Sequence, residues 1–213
     1  MPRDSPTIKD VRVSLSDVRG ALSLRPPTPV AEAVASRAAV AVILRSEEAG
    51  VEMLFIRRAE REDDPWSGHV GFPGGRAEPG DADLRATARR ETAEEIGLDL
   101  HQDADLLGGL DEIRAMARGR PLDLAIAPFV FHLRRPGHVR LSPEVTSVHW
   151  LSLDALLGPE AHGRFEYRHE GQVVELPCLR LGDLLIWGLT YRMFAGLRDR
   201  LAAIASGPTA HAG

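Results

Sequence analysis

Apolar residues recur along the chain in two rhythms, one suited to strands and one to helices. Ala38-Ala39-Val40-Ala41-Val42-Ile43-Leu44 and Val51-Glu52-Met53-Leu54-Phe55-Ile56 read as strands, and the stretch Glu47 to Gly50 between them reads as a turn, so the pair predicts a hairpin. A turn-rich stretch from Asp63 to His69 leads through Val70 to Phe72 into the breaker cluster Pro73-Gly74-Gly75, where a functional loop is expected. From Asp83 to Ile96 the period is helical, with Asp81 or Asp83 as the N-cap and Gly97 where a left-handed C-terminal cap would sit. Further strands are expected at Leu106 to Leu110, Leu124 to Leu133 and Val145 to Leu151, followed by a helical turn at Leu153 to Leu157. Arg168 to Leu176 reads as a small hairpin around Glu170-Gly171. Leu181 to Ile204 reads as one long amphipathic helix on which Trp187 and Tyr191 pack against the sheet. Strands thus enclose helices in an α+β arrangement.

Residues 1–36 are rich in proline and alanine and read as an N-terminal arm, with a short helix near Leu15 to Leu22 ended by Pro26-Pro27; 37–205 form the domain and 206–213 a disordered tail. A length of 213 residues suits one domain of this kind. With 26 Lys+Arg against 31 Asp+Glu, the net charge is -5, which excludes the broad basic footprint of a general nucleic-acid binder. Any anionic ligand must be met locally. Lys9 is the only lysine, so a phosphate-cradling G-x4-G-K-[ST] loop is excluded. The single Cys178 cannot close an intramolecular disulfide, and its apolar surroundings, with no G-x-S-x-G anywhere, argue against a thiol or serine hydrolase. The expected setting is reducing and cytoplasmic. The most apolar stretch, Leu184 to Tyr191, falls far short of the ~20 residues that cross a bilayer, so no membrane partner is expected.

Chemistry concentrates between Gly74 and Leu98. At roughly 100° per residue, Glu91, Glu94 and Glu95 fall on one arc of the predicted helix, with Ala86, Ala93 and Ile96 opposite. Like charges at i, i+3 and i+4 repel, and a hard divalent cation would relieve them, since Mg²⁺ takes carboxylate oxygens and bridges to substrate phosphates. A merely solvated acidic face is the competing reading. Arg90 can orient a neighbouring carboxylate, Gly74-Gly75 lets the backbone approach a metal or phosphate, and Glu78, Asp81 and Asp83 add negative charge in the loop.

Arg90-Glu91-Thr92-Ala93-Glu94-Glu95-Ile96-Gly97-Leu98, preceded by Gly75 and an acidic loop, resembles the signature of the Nudix hydrolases. The loop is one residue longer than the usual G-x5-E-x7-R-E pattern, so Asp81 and Asp83 compete for its acidic position, and Thr92 stands where an aliphatic residue is usual. Both features are similar to a subgroup resembling coenzyme A pyrophosphatases, as are Leu54-Phe55-Ile56-Arg57-Arg58, Gly68, Phe72-Pro73-Gly74-Gly75 and the late Ile186-Trp187-Gly188-Leu189-Thr190. Trp66 stands where that subgroup has histidine, His69 where it has glutamine, and Arg61 matches an arginine only with an offset.

The resemblance implies an α/β/α sandwich with a mixed sheet and a loop-helix-loop catalytic motif. It implies a metal-dependent pyrophosphohydrolase that splits a nucleoside diphosphate linked to another moiety, with coenzyme A favoured. Glu91, Glu94, Glu95 and the Gly75 carbonyl would hold Mg²⁺ or Mn²⁺, and Arg90 would orient the carboxylates. Glu91, Glu94 and Glu144 are candidates for general base. Arg57, Arg58, Arg61, Ser67, His69, Phe72 and Arg76 are candidates for substrate contact. The partner expected is a small nucleotide, for a monomer or homodimer. Nucleotide sugars, dinucleotides or nucleoside triphosphates are the alternative substrates, and a catalytically silent ligand sensor is the alternative class.

Overall fold

The computed structural model describes residues 12–60, 67–117, 120–135, 137–169 and 171–206. Arg61 and Trp66, and the expected tail beyond 206, lie outside the described residues.

The predicted first hairpin is present as β1 (Ser36–Glu47) and β2 (Gly50–Arg58), antiparallel, with Glu47 opposite Gly50 at the turn. The apolar run in β1 is continuous because both faces are covered. Val40, Val42 and Leu44 enter one core, and Ala39, Ala41 and Ile43 enter the other. After the short β3 (Val70–Gly71) and β4 (Gly74–Arg76) come α2 (Leu84–Ile96), α3 (Leu100–Asp103), β5 (Ala104–Gly109), β6 (Ile113–Ala117), β7 (Arg120–Leu133) and β8 (Val145–Ser152). The eight-stranded sheet runs β3-β2-β1-β7-β5, with β4 beside β1, β6 beside β7 and β8 beside β2. β1 and β7 are parallel and the other pairs antiparallel, so the sheet is mixed.

Two helical layers cover it. Ala88 and Ile96 of α2 and Leu100 of α3 pack on one face. The other face is covered by α1 (Leu15–Ser23), α4 (Leu153–Leu157) and α5 (Gly188–Ala205), through Val18, Leu22, Leu156, Phe194 and Leu197 among others. The N-terminal segment read as an arm therefore supplies a packed helix, because Val18, Ala21 and Leu22 form an apolar stripe behind the Ser14 capping box.

Between α4 and α5 lies a second, three-stranded antiparallel sheet of β9 (His162–His169), β10 (Gln172–Leu181) and β11 (Leu184–Trp187). It corrects two expectations. The hairpin around Gly171 is much longer than Arg168 to Leu176, and the helix expected from Leu181 begins only at Gly188. Gly182 turns the chain at φ 58, and the following residues bury Leu184 and Ile186 in alternation, the rhythm of a strand. Trp187 accordingly ends a strand instead of packing within the helix. Among the described residues, no helix is long and apolar enough to cross a membrane.

Candidate active site

The glycine pair is demanded by its neighbours. β4 lies against β1, with Val40 opposite Gly74 and Ala39 opposite Gly75. Gly74 has φ 154, and a Cβ there would strike the Ala39 carbonyl oxygen; one at Gly75 would occupy the place of the Glu91 carboxylate. The helix that follows starts where Asp83 accepts N–H bonds from Arg85 (2.8 Å) and Ala86 (2.9 Å), and stops at Gly97 (φ 73). Asp83 is thus the cap, which leaves Asp81 as the loop acid facing Arg90.

Arg90 joins loop to helix. Its Nε and Nη2 donate to Asp81 at 3.0 and 3.1 Å, its Nη1 donates to Glu91 and Glu94, both at 3.0 Å, and its Nη2 also reaches the Arg76 carbonyl at 3.0 Å. This pairing holds the Asp81 carboxyl well below the usual carboxylate range and raises the guanidinium above its own. Glu94 is drawn to Arg90 on the outside of the helix, its side chain 58% exposed, and does not line the cavity described next. Of the three glutamates, Glu91 and Glu95 line the cavity and Glu94 does not.

The apolar side of α2 also differs from expectation. Ala93 is exposed, whereas Thr87, Ala88, Thr92, Glu95 and Ile96 are buried. Thr92 is tolerated there because its hydroxyl donates to the Ala88 carbonyl at 2.7 Å.

Glu91 and Glu95 open into a cavity of about 290 Å³ that Glu144, Arg58 and Arg76 also line. Glu95 is 4% exposed. Its Oε2 accepts the Gly74 N–H at 2.9 Å, and Oε1 lies 3.6 Å from Arg58. Burial pushes its carboxyl up to about 7; the Gly74 N–H and Arg58 oppose this, and the charges of Glu91 and Glu144 reinforce it. Burial raises Glu91 as well, against the pull of Arg90.

Of the residues singled out in the sequence, Arg58, His69, Phe72, Gly75, Arg76, Glu91, Glu95 and Glu144 line this cavity. Phe72 stacks on Phe55 with ring centroids 5.0 Å apart and so serves also as core. Ser67 is not among the lining residues, and neither is Arg57, which lies 3.7 Å from Asp183. Adjacent residues of a strand point to opposite faces, so of the pair Arg57-Arg58 only one can enter. Sequence reasoning missed Leu124, Ile126, Trp187, Leu189 and Met193 as lining residues. For Trp187 the available signal was the glycine that follows it at 188, a residue disfavoured inside a helix.

The donor set suits a hard divalent cation. Carboxylates of Glu91, Glu95 and Glu144 line one cavity, and burial together with the charges of the other two disfavours the ionised form of Glu95. Among the described residues no three acidic, histidine or cysteine side chains stand in closed ligating geometry. Mg²⁺ does not require one, since it keeps several waters and uses one or two carboxylates.

A family model described as NUDIX domain matches residues 35–170. An uncharacterized protein of Schizosaccharomyces pombe is 41% identical over 118 residues, covering 54% of this chain and 36% of that relative. A mitochondrial coenzyme A diphosphatase of Homo sapiens is 32% identical over 156 residues, covering 72% and 64%. The chain therefore spans between about a third and two thirds of the length of these two curated relatives. A solved MutT/nudix family protein from Enterococcus faecalis shares the fold at a TM-score of 0.50 and 16% identity, over 92% of this chain and 75% of that one.

Proposed function

The chain belongs to the Nudix family, and on that premise we propose that it is a divalent-cation-dependent diphosphatase whose favoured substrate is coenzyme A. The observation that carries this reading is the meeting of Glu91, Glu95 and Glu144 with Arg58 and Arg76 in one cavity. Glu91 and Glu95, with the Gly75 carbonyl beside them, would hold Mg²⁺ or Mn²⁺; Glu94, outside the cavity, would act through Arg90. Such a cation, when bound, neutralises the diphosphate and lowers the pKa of water.

The chain's own residues have distinct tasks. Arg58 and Arg76 bind non-bridging phosphate oxygens. Arg90 holds Glu91 in orientation through its 3.0 Å bond while Asp81 holds Arg90. Glu144, supplied by a different element from α2, accepts the proton of the attacking water. The water oxygen bonds to phosphorus as the bridging P–O bond breaks, and the departing phosphate keeps the bond's electron pair. Coenzyme A would yield 4′-phosphopantetheine and adenosine 3′,5′-bisphosphate. Support for that substrate comes from the names of relatives at moderate identity and from the Phe72-Pro73-Gly74-Gly75 stretch. A reducing compartment, with the cytoplasm the favoured one, is part of this reading, and the single, buried Cys178 is consistent with the first of these.

A panel of coenzyme A, nucleotide sugars, dinucleoside polyphosphates and triphosphates, assayed with Mg²⁺ and resolved by mass, tests this. We expect coenzyme A to give the two products named. Fast triphosphate hydrolysis with coenzyme A untouched would overturn the substrate assignment.

A further inference from the structure

The cavity is chemically divided. Arg58, Arg76 and the three carboxylates supply its charged lining; Leu124 and Ile126 of β7, Trp187 of β11, and Leu189 and Met193 of α5 supply an apolar lining, of which Leu124, Ile126, Leu189 and Met193 pack in one core cluster. Apart from the charged residues, the polar side chains of the described lining are His69 and Thr190.

Trp187 is a rigid part of that wall. Its ring centroid lies 4.6 Å from that of His69 and 5.0 Å from those of Phe165 and Tyr167. The next residue, Gly188, has φ 63 and turns β11 directly into α5. A wall held this way is preorganised for a ligand. A hydroxyl-rich group laid against it would give up hydrogen bonds to water without replacement, whereas an uncharged aliphatic group loses little and removes apolar surface from water.

We infer that this recess receives the uncharged, largely aliphatic arm of the substrate, and that Trp187 and Leu189 are specificity-determining residues that favour diphosphates bearing such an arm over those bearing a second sugar. The inference rests on the diphosphatase reading above. A nucleobase is the rival occupant; its hydrogen-bonding edge would find few partners beside His69 and Thr190.

Calorimetry on the full chain in Mg²⁺ can separate the arm from the phosphate by comparing 4′-phosphopantetheine, adenosine 3′,5′-bisphosphate and inorganic phosphate. Phosphopantetheine should bind at least about tenfold more tightly than phosphate, and Leu189→Gln and Trp187→Ala should each reduce that ratio to within about twofold of unity. Leu189 is only half-buried, so its variant decides the matter if Trp187→Ala fails to fold. No advantage of phosphopantetheine in the parent, or the same ratio in Leu189→Gln, overturns the inference. So does a variant that weakens the bisphosphate instead, which would put a base in the recess. An arm effect without coenzyme A hydrolysis would sink the diphosphatase reading and leave the recess assignment standing. Hydrolysis with an unchanged ratio would do the reverse.

Discussion

Glu95 is the residue at which stability and function oppose each other. Its carboxyl sits near 7 in the folded chain against an ordinary 4.5, because burial penalises the charge. A raised carboxyl favours the folded state fully below the unfolded value, and that contribution is lost as pH rises through about 7, a change of about 3 kcal/mol. In the presence of a chelator, the parent should therefore lose stability between pH 5 and 8, and Glu95→Gln should lose much less. Denaturant unfolding at both pH values measures it, and parallel curves would show that burial is not the cause. Added Mg²⁺ should stabilise the parent at pH 8 and not the variant. Much of this was legible beforehand: the spacing of Glu91 and Glu95 and the nearby glycines marked the site. The separate fate of Glu94 was not, because it depends on where one arginine side chain, Arg90, reaches.

At the scale of elements, α2 shows how two aspartates two residues apart divide their work. Asp83 caps the helix, so Asp83→Ala should cost about 1 kcal/mol of stability and leave turnover near the parent's. Asp81 anchors Arg90, so Asp81→Asn should lower turnover about tenfold or more, as loss of a supporting partner does, with a smaller effect on stability. Unfolding midpoints and rates on the two variants check the division; swapped outcomes would refute it. The sequence left the two aspartates open because both lie at cap spacing, and only the closed loop separates them. Helix α2, bounded by Asp83 and Gly97, was readable from local chemistry. The stretch from Leu181 to Trp187 was not, because Leu184-Leu185-Ile186-Trp187 is too short and too uniformly apolar to distinguish strand from helix by period. Strand β6 was missed because polar Arg114 interrupts it and its pairing with β7 is irregular.

Across the whole molecule, the N-terminal segment is tied to the turn between β5 and β6 and to α5 by a polar clamp whose residues do not line the cavity. Arg200, 5% exposed, donates to the Arg25 carbonyl (3.2 Å) and to Asp111 (3.0 Å), while the Arg25 side chain pairs with Asp111 from the other side. The pairing holds the Asp111 carboxyl well below its ordinary range, so its contribution is present above the unfolded value and fades as acid titrates it. Arg200→Met would leave the half-buried acceptors on Arg25 and Asp111 short of a donor and should cost roughly 1–2 kcal/mol, read as a lowered unfolding midpoint. An unchanged midpoint would mean that α1 is held by its apolar stripe alone.

The strand that serves both cores, β1, also carries one wall of the cavity through its pairing with Gly74 and Gly75. Opening that wall means opening the sheet, so the Gly75 amide should be slow to exchange with solvent, whereas the Gly74 amide, bonded to the Glu95 carboxylate, should report on the state of that side chain.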